Sequence, residues 1–325
     1  MAGLACRTWR LDTSLYAMGQ ILPRIVALLC CLLAGVAVVQ AACSVAPLGT
    51  VPIDWVDGHL LVTVAVNDTD TTFILDTGAD RTLLGDDAVR RLAVARSSWV
   101  SSTVLGLGGY QQRPNALPRS LRLGGVTLRR KTVTGDNSVT VGPLPVAELA
   151  GHQISGLLGR DFLSAFDLDM DLPAHVLTLY DVRGCTAGFL PWTTPYATIA
   201  VTMPMSAALV VPVMVDGHPL RALLDTGASA SLIAAPGMYR LGLTPQMLTG
   251  DPPGSAGGIG PHPIVMRHHR FAELRVGPVE TSQPTLWVAP VHIVPIVDML
   301  LGADWLRSRH VWLSFATQQI FVAVK

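Results

Sequence analysis

Short apolar runs, many alternating with polar positions, recur along the chain from about residue 45 onward. "LLVTVAV" at 60–66 and "ALVVPVMV" at 208–215 are typical. Alternation with period two, or brief buried runs rich in Val and Leu, predicts β-strands. Helical patterning is confined to short pieces: "DDAVRRLAV" at 86–94 and "GRDFLSAF" at 159–166. Asp161 in the second is a candidate cap or structural hydrogen-bonder, and Asp304 recurs beside a similar helix start. "DLDMDLPAHVLTLY" at 167–180 and "VWLSFATQQIFVAV" at 311–324 predict closing hairpins. With 30 glycines and 23 prolines spread over 325 residues, the expected fold is mostly β with short helices.

One phrase interrupts the apolar runs twice. The chain reads "FILDTGADRTLL" at 73–84 and "ALLDTGASASLI" at 222–233, which places Asp76 and Asp225 149 residues apart. Other landmarks repeat in the same order. "RRLAV" (90–94) matches "YRLGL" (239–243), "LRLGG" (121–125) matches "LRVGP" (274–278), and "GLLGRDFL" (156–163) matches "MLLGADWL" (299–306). A glycine-rich stretch lies between, "VLGLGGYQ" (104–111) in one copy and "SAGGIGPH" (255–262) in the other. The repeat predicts two similar lobes, 43–186 and 187–325, joined through "RGCTAGFLPWTTPY". An isolated carboxylate at the end of a buried apolar run is unfavourable, so Asp76 and Asp225 each call for a partner.

Residues 1–42 differ from the rest. Arg7, Arg10 and Arg24 precede "IVALLCCLLAGVAVV" (25–39) and then small residues. This is the pattern of a signal peptide; the alternative is a retained membrane anchor. Both readings put the remainder across the membrane, in a periplasmic or extracellular setting. Of five cysteines, only Cys43 and Cys185 follow the leader, which predicts a disulfide between them. A lipid on Cys43, which follows two alanines, is the competing reading.

Composition removes some functions. Half the residues are hydrophobic, 14% are charged and the formal net charge is zero. No basic stripe points to nucleic acid. His262, His268 and His269 are read as surface or flap-flanking residues. Neighbours on a strand point to opposite faces, no metal is expected, and no cysteine-rich zinc pattern occurs.

The paired D-T-G-A motifs, the glycine-rich stretches and the late hydrophobic-hydrophobic-Gly helix starts resemble the retropepsin-like aspartic proteases, in a single-chain two-lobe form. The resemblance covers about residues 50–325. It implies a mostly β, bilobal fold in which Asp76 and Asp225 are the catalytic pair of an endopeptidase. Thr77, Gly78, Thr226 and Gly227 support their loops. Gly106, Gly108 and Gly109 form one flap, and Gly257, Gly258 and Gly260 the other. The substrate is an extended polypeptide, no cofactor is required, and the chain acts as a monomer with two pseudo-symmetric lobes. The alternative is a catalytically inactive peptide-binding or scaffold protein of the same fold. The resemblance also implies a salt bridge between Asp80 and Arg160. Both charges occur in the first copy, and Ser229 and Ala303 replace them in the second. Ala79 and Ala228 stand where pepsin-like enzymes usually carry Ser or Thr. A pair without those hydroxyl donors is expected to titrate less acidically than that of pepsin.

Overall fold

Runs that alternate in the sequence pair as strands. His59–Val66 lies between Thr69–Leu75 and Ser120–Leu123 and is buried along most of its length. In the computed structural model the described residues are 42–106, 109–129, 138–204, 207–256, 264–293 and 297–324. Residues 43–325 form one compact unit. Among the described residues no helix is long and apolar enough to cross a membrane. The apolar stretch 25–39 lies outside them.

The repeat in the sequence is a repeat of topology. One sheet runs, neighbour to neighbour, Ala95–Gly106, Gly109–Leu117, Val139–Gly142, Leu83–Gly85, His152–Leu158, Thr69–Leu75, His59–Val66, Ser120–Leu123 and Val126–Arg129. Another runs Pro253–Ala256, Ile264–Arg270, Thr285–Val288, Leu232–Ile233, Met299–Leu301, His218–Leu224, Val210–Val215, Glu273–Val276 and Val279–Ser282. The two orders correspond strand by strand. Even the parallel pairs recur: His152–Leu158 beside Thr69–Leu75, and Met299–Leu301 beside His218–Leu224.

The halves meet in a third, six-stranded sheet. Its order is Ser44–Pro52, Val176–Arg183, Asp167–Asp171, His310–Ser314, Gln319–Ala323 and Tyr196–Ala200. The two expected hairpins lie side by side at its centre, where Leu168 pairs with Leu313 and Met170 with Val311. One continuous apolar core includes Phe73, Leu75 and Leu158 from the first half and Leu224, Leu301 and Leu313 from the second. The connection packs on the sheet through Phe189 and Trp192, whose rings lie 6.1 and 6.4 Å from that of Trp312.

Cys43 and Cys185 are disulfide-bonded across 142 residues of chain. A sulfur in a disulfide carries no lipid, so the first of the two readings of Cys43 holds.

The helices are shorter than the sequence pattern suggested. Asp86–Arg91 stops before Ala93, whose φ of 48° cannot continue a right-handed helix. Arg160–Leu163 and Ala303–Leu306 begin after Gly159 and Gly302, with no side-chain cap. Asp161 and Asp304 are therefore not the N-caps. Each lies inside the first turn and reaches a neighbouring loop instead.

Candidate active site

Each aspartate of the repeated phrase ends a buried strand. Asp76 follows Thr69–Leu75 and donates its backbone N–H to Leu158 O at 3.0 Å. Asp225 follows His218–Leu224 and donates to Leu301 O at 2.9 Å. The two loops then meet face to face. Thr77 N–H donates to Thr226 Oγ1 at 2.9 Å, and Thr226 N–H to Thr77 Oγ1 at 3.1 Å. Each threonine hydroxyl donates onward into the other half, Thr77 to Leu224 O at 2.8 Å and Thr226 to Leu75 O at 2.7 Å. Both threonines are fully buried.

Glycine follows each threonine because the space beside it is taken. A Cβ on Gly78 would lie 2.3 Å from the carboxyl carbon of Asp225, and one on Gly227 would lie 2.4 Å from that of Asp76. Each carboxyl thus rests over the glycine of the other loop. Asp76 Oδ1 accepts from Ala79 N–H at 2.9 Å. Asp225 Oδ1 accepts from Gly227 and Ala228 N–H at 3.0 and 3.1 Å. No hydroxyl stands at positions 79 and 228, where backbone amides supply the bonds.

Electrostatics follow from this geometry. Burial raises the pKa of Asp76 most, and the charge of Asp225 adds to it, to about 8. Burial also raises Asp225, against the opposing N–H bonds of Ala228 and Gly227 and a hydrogen bond from Asp76. The arrangement favours one shared proton, held by Asp76 and donated towards the better hydrogen-bonded Asp225.

Arg160 braces the first loop from below. It is buried, and its Nη1 donates to Thr77 O and Gly78 O, both at 2.6 Å. Burial lowers its pKa; the charge of Asp80 is the largest opposing influence, ahead of Asp76 and Asp225. In the second half Ala303 occupies the matching place, and its N–H donates to Ala228 O just as Arg160 N–H donates to Ala79 O.

Of the two roles the sequence offered for Asp161 and Asp304, cap or structural hydrogen-bonder, the second holds, with partners the sequence did not indicate. Asp161 Oδ1 accepts from Thr82 N–H and Thr82 Oγ1 at 2.8 and 2.7 Å, while Gly159 N–H donates to Thr82 Oγ1. Asp304 holds Ser231 in the same way, and Gly302 N–H donates to Ser231 Oγ. A hydroxyl residue six positions after each aspartate was the available signal. Also unforeseen, the turn at Gly58 packs on Ser229 and brings half-buried His59 within electrostatic reach of Asp225; burial lowers the pKa of His59.

The first glycine-rich stretch is a hairpin. Ala95–Gly106 pairs with Gly109–Leu117, with Gly106 opposite Gly109, and Gly109 has a φ of 113°. Gly108 lies outside the described residues, as do Gly257, Gly258, Gly260 and His262. The flanks of the second stretch, Pro253–Ala256 and Ile264–Arg270, pair as a corresponding hairpin. His268 stacks on Trp287, and His269 Nδ1 lies 2.7 Å from Asp251 Oδ2. Among the described residues no group of three or more His, Cys, Asp or Glu side chains could hold a metal ion.

Two topologically equivalent halves, each delivering one aspartate to a common centre, define a bilobal β fold of the aspartic-protease type. A family model described as aspartyl protease matches residues 62–162 and 211–305, more than half of the chain, and the protein belongs to this retropepsin-like family. No curated protein sequence matches it significantly. Among solved structures it is similar to the aspartic proteinase from Irpex lacteus, with 14% identity, a TM-score of 0.48, and coverage of 87% of this chain and 98% of that one.

Proposed function

We propose that the protein is an exported aspartic endopeptidase in which Asp76 and Asp225 act together on one water molecule. The observation that supports this most directly is reciprocal: each carboxyl lies over the glycine of the other's D-T-G triplet, within one hydrogen-bonded loop pair. Asp225, ionised, removes a proton from the water. Asp76, protonated, donates a hydrogen bond to the scissile carbonyl and stabilises the developing oxyanion. The proton taken by Asp225 then passes to the leaving amine. Two aspartates sharing one proton, because both cannot ionise at close range, is the general form of this chemistry in aspartic proteases.

The substrate is a polypeptide bound extended beneath the hairpin at Gly106 and Gly109, through backbone hydrogen bonds of the strand-addition kind. Residues 1–42 serve as the export leader or anchor, and 43–186 and 187–325 as the two lobes. The Cys43–Cys185 bond suits an oxidising compartment.

The test is cleavage of an unfolded protein by wild type, Asp76→Asn and Asp225→Asn, each checked for folding by circular dichroism. Wild type should cleave, and both variants should lose turnover almost completely, because members of such a pair act as a unit. Undiminished cleavage by either folded variant would refute the assignment.

A further inference from the structure

A second polar cluster lies between the Asp76 loop and the root of the first hairpin. Alternation along Gly109–Leu117 sends Arg113 and Asn115 to one face and Ala116 to the core. Asn115 pairs with Thr140 on the neighbouring strand, whose Val139 and Val141 also face the core. Arg81, five residues after Asp76, reaches the same face: its Nη2 donates to Ser138 O at 2.9 Å and Ser138 Oγ at 3.2 Å. Asn115 Nδ2 donates to that same hydroxyl at 2.9 Å. The Arg113 guanidinium lies against Gly142, where a Cβ would fall 1.6 Å from its Nη1.

The cluster is deeply buried and incompletely satisfied. Arg113 is 6% exposed and Asn115 and Thr140 are fully buried. Among the described residues Arg113 Nη2 donates only to the neutral Gln111, at 2.6 Å. Arg113 Nε, Arg81 Nε, Asn115 Oδ1 and Thr140 Oγ1 have no partner among the described residues. Arg81 lies within electrostatic reach of Asp161, but that carboxylate is occupied by Thr82. A buried guanidinium without an acid is unfavourable, and orphaned buried polar atoms signal a missing partner. The orphan Nε atoms are half of the side-on fork with which arginine grips a carboxylate. Arg81 is half-buried, so the cluster has an open side.

We propose that Arg81 and Arg113, with Asn115, Ser138 and Thr140, form a carboxylate-binding subsite that selects an acidic side chain in the polypeptide substrate. The inference rests on the proteolytic reading above and deepens it. The Nε donors and the Thr140 hydroxyl take the carboxylate oxygens, and Asn115 Oδ1 accepts a substrate amide N–H. Strand Gly109–Leu117 runs from these residues to the hairpin tip, so the subsite lies on the path of a peptide held under that hairpin.

The test uses paired peptides that are identical except for one Glu-to-Gln exchange, scanned across the positions flanking the cleavage site at near-neutral pH. At one position wild type should favour Glu in kcat/KM by about 10-fold to 100-fold, the worth of a charge-assisted hydrogen bond. Arg81→Gln should reduce that ratio towards one, Arg113→Gln should abolish it if the variant folds, and Arg113→Lys should restore part of it. Equal rates on every pair in wild type overturn the subsite while leaving proteolysis intact. A Glu preference that appears only in Asp136→Asn overturns it too, because the arginines of the wild-type chain would then be neutralised by this acid, which lies two residues before Ser138 in the sequence. If wild type cuts nothing, the proteolytic reading fails and binding decides the subsite separately. Asp225→Asn protein should still bind the Glu peptide at least about 10-fold tighter than the Gln peptide, and indifference between the two overturns the inference.

Discussion

The N–H groups and hydroxyls of Thr77 and Thr226 make four hydrogen bonds, and each of these crosses from one half of the molecule to the other. The position of Asp76 relative to Asp225 is therefore set by their neighbours in sequence and not by the carboxyls themselves. Thr77→Val keeps the shape but strands the Thr226 N–H and the Leu224 carbonyl. Each stranded group should cost about 1–3 kcal/mol. Urea unfolding should show that loss, and Thr77→Val with Thr226→Val should cost less than the sum of the singles, since they share partners.

The proton on Asp76 makes stability depend on pH. Its pKa is raised in the folded chain to about 8, from an unfolded value near 4. The folded state then holds a proton that the unfolded state releases between those values. The stabilisation is complete below about pH 4 and is lost as pH rises through about 8. Asp76→Asn lacks this proton, so its melting temperature should gain on that of wild type steadily from pH 4 to 8. A constant difference across that window would contradict the raised pKa. The alkaline limb of activity should likewise lie nearer neutrality than in pepsin.

Arg160 should couple to Asp80. Arg160→Ala removes two bonds to the Asp76 loop and takes from Asp80 the cation whose charge it most influences, so a loss of roughly 3–5 kcal/mol is expected. Asp80→Ser with Arg160→Ala reproduces the Ser229 and Ala303 arrangement of the second half. If the ion pair exists, the double variant is more stable than the sum of the singles predicts; additivity within a few tenths of a kcal/mol would dismiss it.

Breaking the disulfide should loosen the shared sheet at its edge. Cys43→Ser and Cys185→Ser should each lower stability by about 2–5 kcal/mol under non-reducing conditions, and by equal amounts. A much larger effect of one than of the other would mean that the two sulfurs have separate roles.

What could be seen in the sequence was what occurred twice. Asp76 and Asp225, their threonines and their glycines recur at a fixed interval, and a buried acid in both copies demands a common explanation. The helix starts were visible for the same reason, and so was a cap or a structural hydrogen bond for Asp161, but its partner was not. A carboxylate inside a first turn looks like a cap until Thr82 is brought beside it by the fold. Arg81, Arg113, Asn115 and Thr140 left no trace because three separate segments assemble them, and alternation alone marks Arg113 as an ordinary outward residue. The six-stranded sheet was equally hidden. Two hairpins were legible, but nothing in either indicated that Leu168 would pair with Leu313.

That sheet has a kinetic meaning. When two separate chains must meet to complete a paired-aspartate centre, dilution dismantles it. Here Asp167–Asp171 and His310–Ser314 are joined through the same polypeptide, so their mutual effective concentration is fixed by the tether and is independent of how much protein is present. Each half is also free to diverge without passing the change to a twin. Arg160 facing one loop and Ala303 the other is a difference that an assembly of identical subunits could not hold.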